Sequence, residues 1–431
     1  MRIVHLGLGA FHRAHQAVYL QRLIDAGEST WELVAGNIHP GQEATEAALQ
    51  AQAGQYTLET VKPDGERSYE RITAIARVES DINALVDLAA DADTRIVSFT
   101  VTEAGYEPGA DNALYRTLSA ILSARRARGS GPLTLLCCDN LRHNGDRSRA
   151  GLLAFMADAG LRAWAEANTS SLNAMVDRIT PRPPADLRER VRAATGWNDA
   201  APVMAEHFIQ WVIEDRFCNG RPAWERVGVT MVDEVAPFEE AKIRILNASH
   251  SGIAWAGSLT GRRFIHEAVA DARIRAIAHA YVSNDVIPCL QPSPLDLAAY
   301  RDTVLERFGN AALADTCQRV CADGFAKLPG FIAPTIRERL AQEPGQGQGI
   351  ASVAMLPALF LAFLQRWHAG QLAEPYQDQA MNPAVASAIC SADDPVLAFA
   401  QAPSLWNELA GDARLVEALR VASGQVRALL T

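Results

Sequence analysis

The first half of the chain alternates short apolar runs with longer helical patterns, and this alternation constrains the fold more than any other feature. Four runs are rich in valine, isoleucine and leucine, and a helical pattern over 11–26 separates the first two; the runs cover 3–7, 33–36, 95–101 and 133–137. Such alternation is typical of βαβ units, in which consecutive strands are parallel and helices cover the sheet. A further apolar run over 227–232 is predicted to close the same sheet region.

A glycine-rich turn follows the first predicted strand directly. The segment reads Gly7-Leu-Gly9-Ala-Phe-His12 and opens the predicted helix, which is the context of a dinucleotide-binding fingerprint. Gly7 would make the tight turn, and Gly9 would let a pyrophosphate approach the backbone. The first helical turn would supply amide donors and is expected to contact the cofactor through Ala10, Phe11 and His12. An ordinary strand-to-helix turn uses glycines in the same way, and His12 occupies the place of the third glycine, but the position favours a nucleotide site.

The end of the second predicted strand bears on the choice of cofactor. It reads Gly36-Asn37, without the aspartate or glutamate that usually binds the adenosine ribose. No lysine or arginine occurs from 38 to 60, so no local cation would pair with a 2′-phosphate. The sequence therefore favours NAD over NADP, with Asn37 as the expected ribose contact.

These patterns predict an α/β chain of two domains. The first, 1–235, is a Rossmann-type dinucleotide-binding domain with a mostly parallel sheet. The second, 236–431, is a mostly α-helical substrate and catalytic domain, because the pattern after Pro237 is almost wholly helical. A chain of 431 residues is too long for one ordinary core, which agrees with this division. The longest apolar block, 351–364, is expected to be a buried helix, since it is shorter than the roughly 20 residues that cross a membrane.

Charge and cysteine content exclude several classes of protein. A net charge of -10 and a pI near 5.5 disfavour a general affinity for nucleic acids, whose phosphates would be repelled. The seven cysteines form no regular framework, which favours a reducing, cytoplasmic compartment over a disulfide scaffold. The chain opens into its first strand, so no secretory signal is expected.

The segment from Lys242 to His250 carries the residues that most suggest catalysis. If 239–257 is α-helical, Asn247 lies roughly 140° and His250 roughly 80° round the axis from Lys242. An amine held among isoleucine and leucine neighbours can act as a general base, because burial lowers its pKa. The alternative is a surface lysine, a capping asparagine and a packed histidine.

Other polar positions are less specific by themselves. Asn140 follows a predicted strand and would emerge at the carboxyl edge of the sheet, although a simple turn would use the same residues. Asp177 lies in a segment over 175–183 that reads as a stiff, polar loop. Cys317 and Cys321 lack further ligands at a suitable spacing, so we expect buried thiols and no metal site.

Five motifs in order along the chain together resemble the mannitol dehydrogenase family of polyol-specific dehydrogenases. They are Gly7-x-Gly9-x-Phe11-His-Arg-Ala-His15, Thr100-Val-Thr-Glu-Ala-Gly-Tyr106, Cys138-Asp-Asn140, Met175-Val-Asp-Arg-Ile-Thr-Pro181 and Lys242-x-x-x-x-Asn247-x-x-His250. The resemblance implies an NAD-dependent enzyme that oxidises a small polyol without a metal and is a monomer. Within the family, further segments most resemble members that oxidise D-arabinitol at C4 to D-xylulose.

The resemblance also implies roles for individual residues. Lys242 matches the general base, Asn140 and Asn247 match the pair that stabilises the oxyanion, and His250 matches the residue that orients the substrate. The remaining matches are the polyol contacts Asp177, Arg319 and Lys327, the proton relay Glu239 and the cofactor contact Thr102.

Alternatives within and beyond the family stay open. The chain could be a mannitol 2-dehydrogenase, or a reductase of fructuronate or tagaturonate, whose carboxylate would need a cationic clamp. A nucleotide sensor without turnover is a further alternative. The region after Tyr106 is shorter than in relatives, which could open the mouth of the active site and alter the choice of substrate.

Overall fold

The computed structural model describes the chain except for Ser29, Thr102, Glu107, Pro108, Ala110 and 343–346. The chain divides into two units. Met1–Lys62 and Glu66–Ala236 form the first, and Pro63–Gly65 and Pro237–Thr431 form the second. Strands occur in the first unit, whereas the described residues of the second form helices, turns and a single β-bridge between Phe264 and Thr316.

The first unit contains twelve strands among its described residues. These are β1 Arg2–Leu6, β2 Glu32–Gly36, β3 Tyr56–Val61, β4 Arg67–Ile72, β5 Ile75–Val78, β6 Thr94–Phe99, β7 Leu133–Cys137, β8 Thr169–Leu172, β9 Ala174–Asp177, β10 Val203–Glu206, β11 Gln210–Glu214 and β12 Thr230–Val232. Six of them form a parallel sheet in the order β5-β2-β1-β6-β7-β8. This is the strand order of a dinucleotide-binding fold, in which ligands bind where the order reverses, at the carboxyl ends of β1 and β6. The predicted Rossmann-type sheet is confirmed.

Two smaller sheets were not predicted. One has the order β10-β3-β4 and the other the order β12-β11-β9. The predicted extension of the main sheet by 227–232 is wrong, because Thr230–Val232 pairs with β11 instead. The predicted loop over 175–183 is wrong at its start, where Ala174–Asp177 is a strand paired with Gln210–Glu214. Both errors have one cause: the partner strand lies far away along the chain, so short runs carry no local sign of it.

The described residues of the first unit include eight α-helices, and most of them cover the two faces of the main sheet. They are α1 Ala10–Ala14, α2 Gln16–Asp25, α3 Glu43–Ala51, α4 Ile82–Ala90, α5 Ala113–Arg128, α6 Asn144–Phe155, α7 Ala159–Asn168 and α8 Leu187–Thr195. The helix predicted over 11–26 is broken at His15, where Nε2 lies 2.8 Å from the carbonyl oxygen of Gln210. Side chains of β1 alternate between two apolar clusters, with Ile3 on one face and Val4 on the other, as the pleat of a strand requires.

The second unit is helical, as predicted. Its helices are α9 Ala236–Ala241, α10 Ala248–Leu259, α11 Ile265–Ala270, α12 Ala272–Tyr281, α13 Ile287–Leu290, α14 Leu297–Phe308, α15 Cys317–Cys321, α16 Gly324–Lys327, α17 Ala333–Gln342, α18 Met355–His368, α19 Pro383–Ser391, α20 Pro395–Ala400, α21 Pro403–Trp406 and α22 Ala413–Leu430. Among them, π-helical turns occupy Lys242–Asn247, Val282–Val286 and Leu328–Ile332.

One apolar core holds these helices together. It includes the fully buried rings of Trp255, Phe360 and Trp406, which come from α10, α18 and α21. The apolar block over 351–364 supplies most of α18 and is largely buried, as predicted, although 351–354 forms a turn before the helix and Ala351 is exposed. Within the described residues, no helix combines the length and the apolar character that crossing a bilayer would need.

Candidate active site

The glycine turn after β1 lies at the point where the strand order reverses. Gly7 has a φ of +124°, and a Cβ atom there would lie 2.6 Å from the carbonyl oxygen of Thr100, so only glycine fits without a shift. Its N–H donates to the carbonyl of Gly36 at 2.7 Å. By contrast, no described atom lies within 4 Å of the place where a Cβ of Gly9 would be. The backbone at Gly9 is therefore open to a ligand.

Asn37 joins this turn to the end of β2. Its Oδ1 accepts the N–H of Leu8 at 2.8 Å, and its Nδ2 is buried with no hydrogen-bond partner among the described residues. Its backbone N–H lies 3.4 Å from Oε1 of Glu46 in α3, whose pKa is raised by burial. The strand end thus has a carboxylate beside it after all. Glu46 was missed because it lies on the next helix, where a glutamate is an ordinary surface residue.

His12 fills the space between α1 and β1 that a third glycine would leave. Its ring stacks on His5 with centroids 3.5 Å apart and planes at 13°, and His5 lies within 2.8 Å of Ser98 Oγ and 3.1 Å of Thr100 Oγ1. Burial lowers the pKa of His12 to about 3. In this structure His12 packs in the interior of the unit.

The other predicted cofactor contacts are less informative. Ala10 and Phe11 are partly buried in the first turn of α1. Thr102 lies outside the described residues, as do Glu107, Pro108 and Ala110 of the shortened segment after Tyr106.

Asn140 lies at the carboxyl edge of the main sheet, three residues beyond β7. It is exposed, whereas Asp139 is buried. The carboxylate of Asp139 accepts the N–H of Val101 at 2.9 Å and the hydroxyl of Tyr106 at 2.5 Å. The loop that carries Asn140 is therefore anchored to the exit of the neighbouring strand.

Asp177 ends β9 and is buried, opposite Gln210 in the antiparallel register. The guanidinium of the next residue, Arg178, donates to the carbonyls of Ala14 at 2.5 Å and Glu206 at 2.9 Å. These buried contacts fix the backbone that carries the Asp177 carboxylate.

In the second unit, a π-helical turn changes the geometry expected for Lys242, Asn247 and His250. The N–H of Ala248 donates to the carbonyl of Ile243, five residues back. Residues five apart lie about one turn apart in a π-helix, so Lys242 and Asn247 share a side instead of lying roughly 140° apart as an α-helix would place them. His250 follows three residues later in α10, next to Asn247 on the same face. The segment over 239–257 is helical throughout, but its π turn replaces the α-helical spacing between Lys242 and Asn247 and brings the three side chains closer to one line.

Polar contacts hold this turn in place. The guanidinium of Arg244 lies 2.7 Å from Glu240 and pairs with both oxygens of Glu338 at 2.7 Å. The hydroxyl of Tyr281 donates to the carbonyl of Arg244 at 2.9 Å. Lys242, inside the turn, has a buried side chain.

His250 contacts a carboxylate that sequence reasoning missed. Its Nε2 lies 3.3 Å from Oδ2 of Asp315, and its ring stacks on Phe308 with centroids 4.5 Å apart. The same carboxylate receives Arg319, through Nε to Oδ1 at 2.7 Å and Nη2 to Oδ2 at 2.6 Å. Burial lowers the pKa of His250, and the contact with Asp315 opposes this effect. The spacing of Asp315 and Arg319, four residues apart, could have revealed their pairing, but the contact with His250 is tertiary.

Other predicted residues of the second unit are placed as follows. Nζ of Lys327 donates to the carbonyl of Val320 at 2.8 Å, and burial lowers its pKa. Glu239 is buried in α9, one turn before Lys242. Cys317 and Cys321 are buried, and the described residues contain no group of three histidine, cysteine or acidic side chains that could hold a metal ion.

The parallel sheet with its glycine turn at the reversal point defines a dinucleotide-binding protein of the Rossmann class. Comparison with protein families gives a more specific result. The chain matches the mannitol dehydrogenase Rossmann domain over residues 1–226 and the mannitol dehydrogenase C-terminal domain over residues 234–427.

Individual relatives agree with these matches. The chain is 54% identical to a D-arabinitol 4-dehydrogenase of Ralstonia nicotianae, covering 99% of this chain and 96% of the relative. It is 47% identical to a D-arabinitol 4-dehydrogenase of Klebsiella pneumoniae, covering 97% and 96%. Among solved structures, it superposes on Pseudomonas fluorescens mannitol 2-dehydrogenase in a ternary complex with NAD and D-mannitol with a TM-score of 0.84 at 34% identity, covering 100% of this chain and 93% of that chain.

The chain therefore belongs to the mannitol dehydrogenase family, a class of NAD-dependent polyol dehydrogenases. The family, the fold class and the dehydrogenase activity predicted from the sequence are confirmed. NAD as the expected cofactor is confirmed by the match to the mannitol dehydrogenase Rossmann domain and by the solved relative in complex with NAD.

Proposed function

We propose that the enzyme oxidises D-arabinitol at C4 to D-xylulose with NAD. The observation that carries this proposal is the similarity, over nearly the whole of each chain, to two proteins named D-arabinitol 4-dehydrogenase at 54% and 47% identity. The alignment of Lys242, Asn247 and His250 by the π turn agrees with it, because proton removal and oxyanion stabilisation need these groups on one side.

The first unit fits a dinucleotide. Open space at Gly9 would admit a pyrophosphate to the backbone. The buried amide of Asn37 has a donor to spare for a ribose hydroxyl, and Glu46 adds negative charge that would disfavour a 2′-phosphate. NAD, when bound, accepts the hydride of the carbinol carbon.

Lys242 acts as the general base in this proposal. Its side chain is buried, and the neutral form of the amine takes the proton of the reacting hydroxyl. Glu239, one turn away and also buried, relays that proton towards solvent. The amides of Asn247 and Asn140 stabilise negative charge on the substrate oxygen, and His250 holds the reacting hydroxyl in line.

The rest of the polyol is bound by Asp177, Arg319 and Lys327. A carboxylate accepts from hydroxyl groups, and the two cations donate to them. Arg319 is paired with Asp315, and Lys327 donates to a carbonyl. These pairings suit neutral hydroxyl groups better than the carboxylate of a hexuronate, which would require uncommitted cations. D-Mannitol is the second candidate, favoured by the superposition on the mannitol 2-dehydrogenase complex.

A substrate panel tests the proposal. The purified enzyme is assayed for NADH formation with D-arabinitol, L-arabinitol, D-mannitol and D-sorbitol, and for NADH consumption with fructuronate and tagaturonate. We expect the highest kcat/KM with D-arabinitol and D-xylulose as the product, identified by NMR. D-Ribulose would place the oxidation at C2, and a higher kcat/KM with D-mannitol or a uronate would replace the proposed substrate.

A further inference from the structure

Two of the proposed substrate contacts, His250 and Arg319, meet on one buried carboxylate. We propose that Asp315 is a positioning residue that keeps the proton of neutral His250 on Nε2, so that Nδ1 accepts from a substrate hydroxyl next to the one that Lys242 deprotonates, and that holds the guanidinium of Arg319 beside the same site. The role of the substrate in this inference rests on the proposed function, whereas the contact among the three side chains does not.

The backbone around Asp315 is fixed before any substrate binds. Its carbonyl accepts the N–H of Ile265 at 2.9 Å, and the N–H of Cys317 donates to the carbonyl of Arg263 at 2.9 Å. Ala314, directly before it, has a φ of +48°, which a residue with a side chain adopts only where its surroundings impose it. The carboxylate therefore starts from a backbone that is held on both sides.

The hydroxyl of Thr316 completes this arrangement. It accepts the N–H of Arg319 at 3.2 Å and caps the start of α15, which fixes the helix that carries Arg319. Asp315 and Arg319 are thus placed by the same cap.

The geometry assigns the imidazole tautomer. Only 9% of the Asp315 side chain is exposed, and its pKa is held far below the usual range by contacts with His250 and Arg319, which outweigh the cost of burial. A carboxylate in that state accepts and cannot donate. Nε2 of His250 faces it at 3.3 Å, without the alignment of a hydrogen bond, and the negative charge favours the tautomer with the proton on Nε2. Phe308 stacks on the ring at 14° and fixes its plane. In that tautomer Nδ1 keeps its lone pair and can accept a hydrogen bond.

The same carboxylate limits where Arg319 can point. Nε and Nη2 are used by Asp315, while 66% of the side chain remains exposed. A guanidinium that is already held through two nitrogens loses little further conformational freedom when its third nitrogen, Nη1, binds a substrate hydroxyl. An ion pair with one well-exposed partner contributes little net stability, so positioning accounts better than stability for a carboxylate placed here.

The tautomer is measured directly by NMR. Protein labelled with ¹⁵N-histidine is observed at about pH 8, where a neutral imidazole dominates, and His250→Gln identifies the signals of His250. We expect the Nε2–H form in the parent protein and a mixture of tautomers in Asp315→Asn. A parent protein with the proton on Nδ1 would overturn the proposal without any measurement of activity.

Kinetics with D-arabinitol and NAD test the consequence for turnover. Asp315→Asn should lower kcat/KM by about 100-fold through misorientation and leave NADH affinity unchanged. The matched control is Asp271→Asn. It changes another aspartate that is 11% exposed and paired with arginines but does not touch His250. In this variant kcat/KM should stay within about twofold of the parent value, the range usual for sites away from the chemistry.

The outcomes distinguish the positioning role of Asp315 from the proposed oxidation of a polyol. Parent kcat/KM in a folded Asp315→Asn protein would refute the positioning role. If Asp315→Asn does not fold, Asp315→Glu keeps the charge and moves it, and parent kcat/KM in that variant would refute the role equally. If the parent enzyme turns over no polyol, the proposed function fails, and the tautomer of His250 still decides whether Asp315 orients it.

Discussion

The stacked histidines of the first unit predict a specific loss of stability in acid. Folded His12 has a pKa of about 3 because it is buried, whereas the ordinary value is 6.5. Below pH 6.5 His12 takes up a proton in the unfolded chain but stays neutral in the folded chain. Its contribution to the free energy of unfolding is therefore complete above that pH and falls as the pH drops towards 3. The slope is about 1.4 kcal/mol per pH unit for this one group, or about 2 kcal/mol between roughly pH 7.5 and pH 5.

His12→Gln removes the titrating group. The variant loses the stack on His5 and should be less stable than the parent at pH 7.5. Its disadvantage should shrink by about 2 kcal/mol at pH 5, because the parent loses stability over this interval through His12 and the variant does not. Titrating groups that do not interact with His12 cancel in the difference between the two proteins, whereas His5, whose pKa is lowered by burial and also by His12, contributes a smaller change of its own.

Urea unfolding followed by circular dichroism measures this difference at several pH values in the absence of cofactor. His39→Gln is the matched control, since it replaces an exposed histidine of the same unit, and its curve should run parallel to that of the parent. If the difference between the parent and His12→Gln is also independent of pH, the argument from burial is refuted.

Three further predictions concern catalysis and the cofactor. Lys242→Met should lower polyol oxidation by about two to four orders of magnitude, the usual contribution of a general base, while NADH still binds by fluorescence titration; near-parent turnover at every pH would exclude the base role. Glu46→Gln should lower the ratio of kcat/KM with NAD to that with NADP about fivefold, since one like-charge repulsion of roughly 1 kcal/mol is lost, and Asn37→Asp should raise that ratio; unchanged ratios in both variants would show that the ribose binds elsewhere. Prolonged dialysis against a strong chelator should leave activity intact, because the described residues offer no metal site; a loss reversed by zinc would contradict this.

Local sequence determined the elements that positioned the cofactor site. The strands at 33–36 and 133–137 are short apolar runs bounded by turns, and their periodicity is visible without any partner. The tight turn at Gly7 was also predicted from the sequence. The structure gives the reason for the glycine: a φ of +124° and the approach of Thr100 leave no room for another residue. Motifs at consistent spacing identified the family, because chemistry restricts residue types at each position.

Tertiary structure alone decided the contacts that complete the candidate site. The carboxylate of Asp315 reaches His250 from 65 positions away along the chain, and that of Glu46 reaches Asn37 from the following helix. The π turn from Lys242, whose Arg244 pairs with the distant Glu338, shifts the phase of every later residue of the helix. Sequence patterns report periodicity within one element, whereas pairing between distant elements depends on how those elements pack. Contacts of this second kind could not be predicted from the sequence.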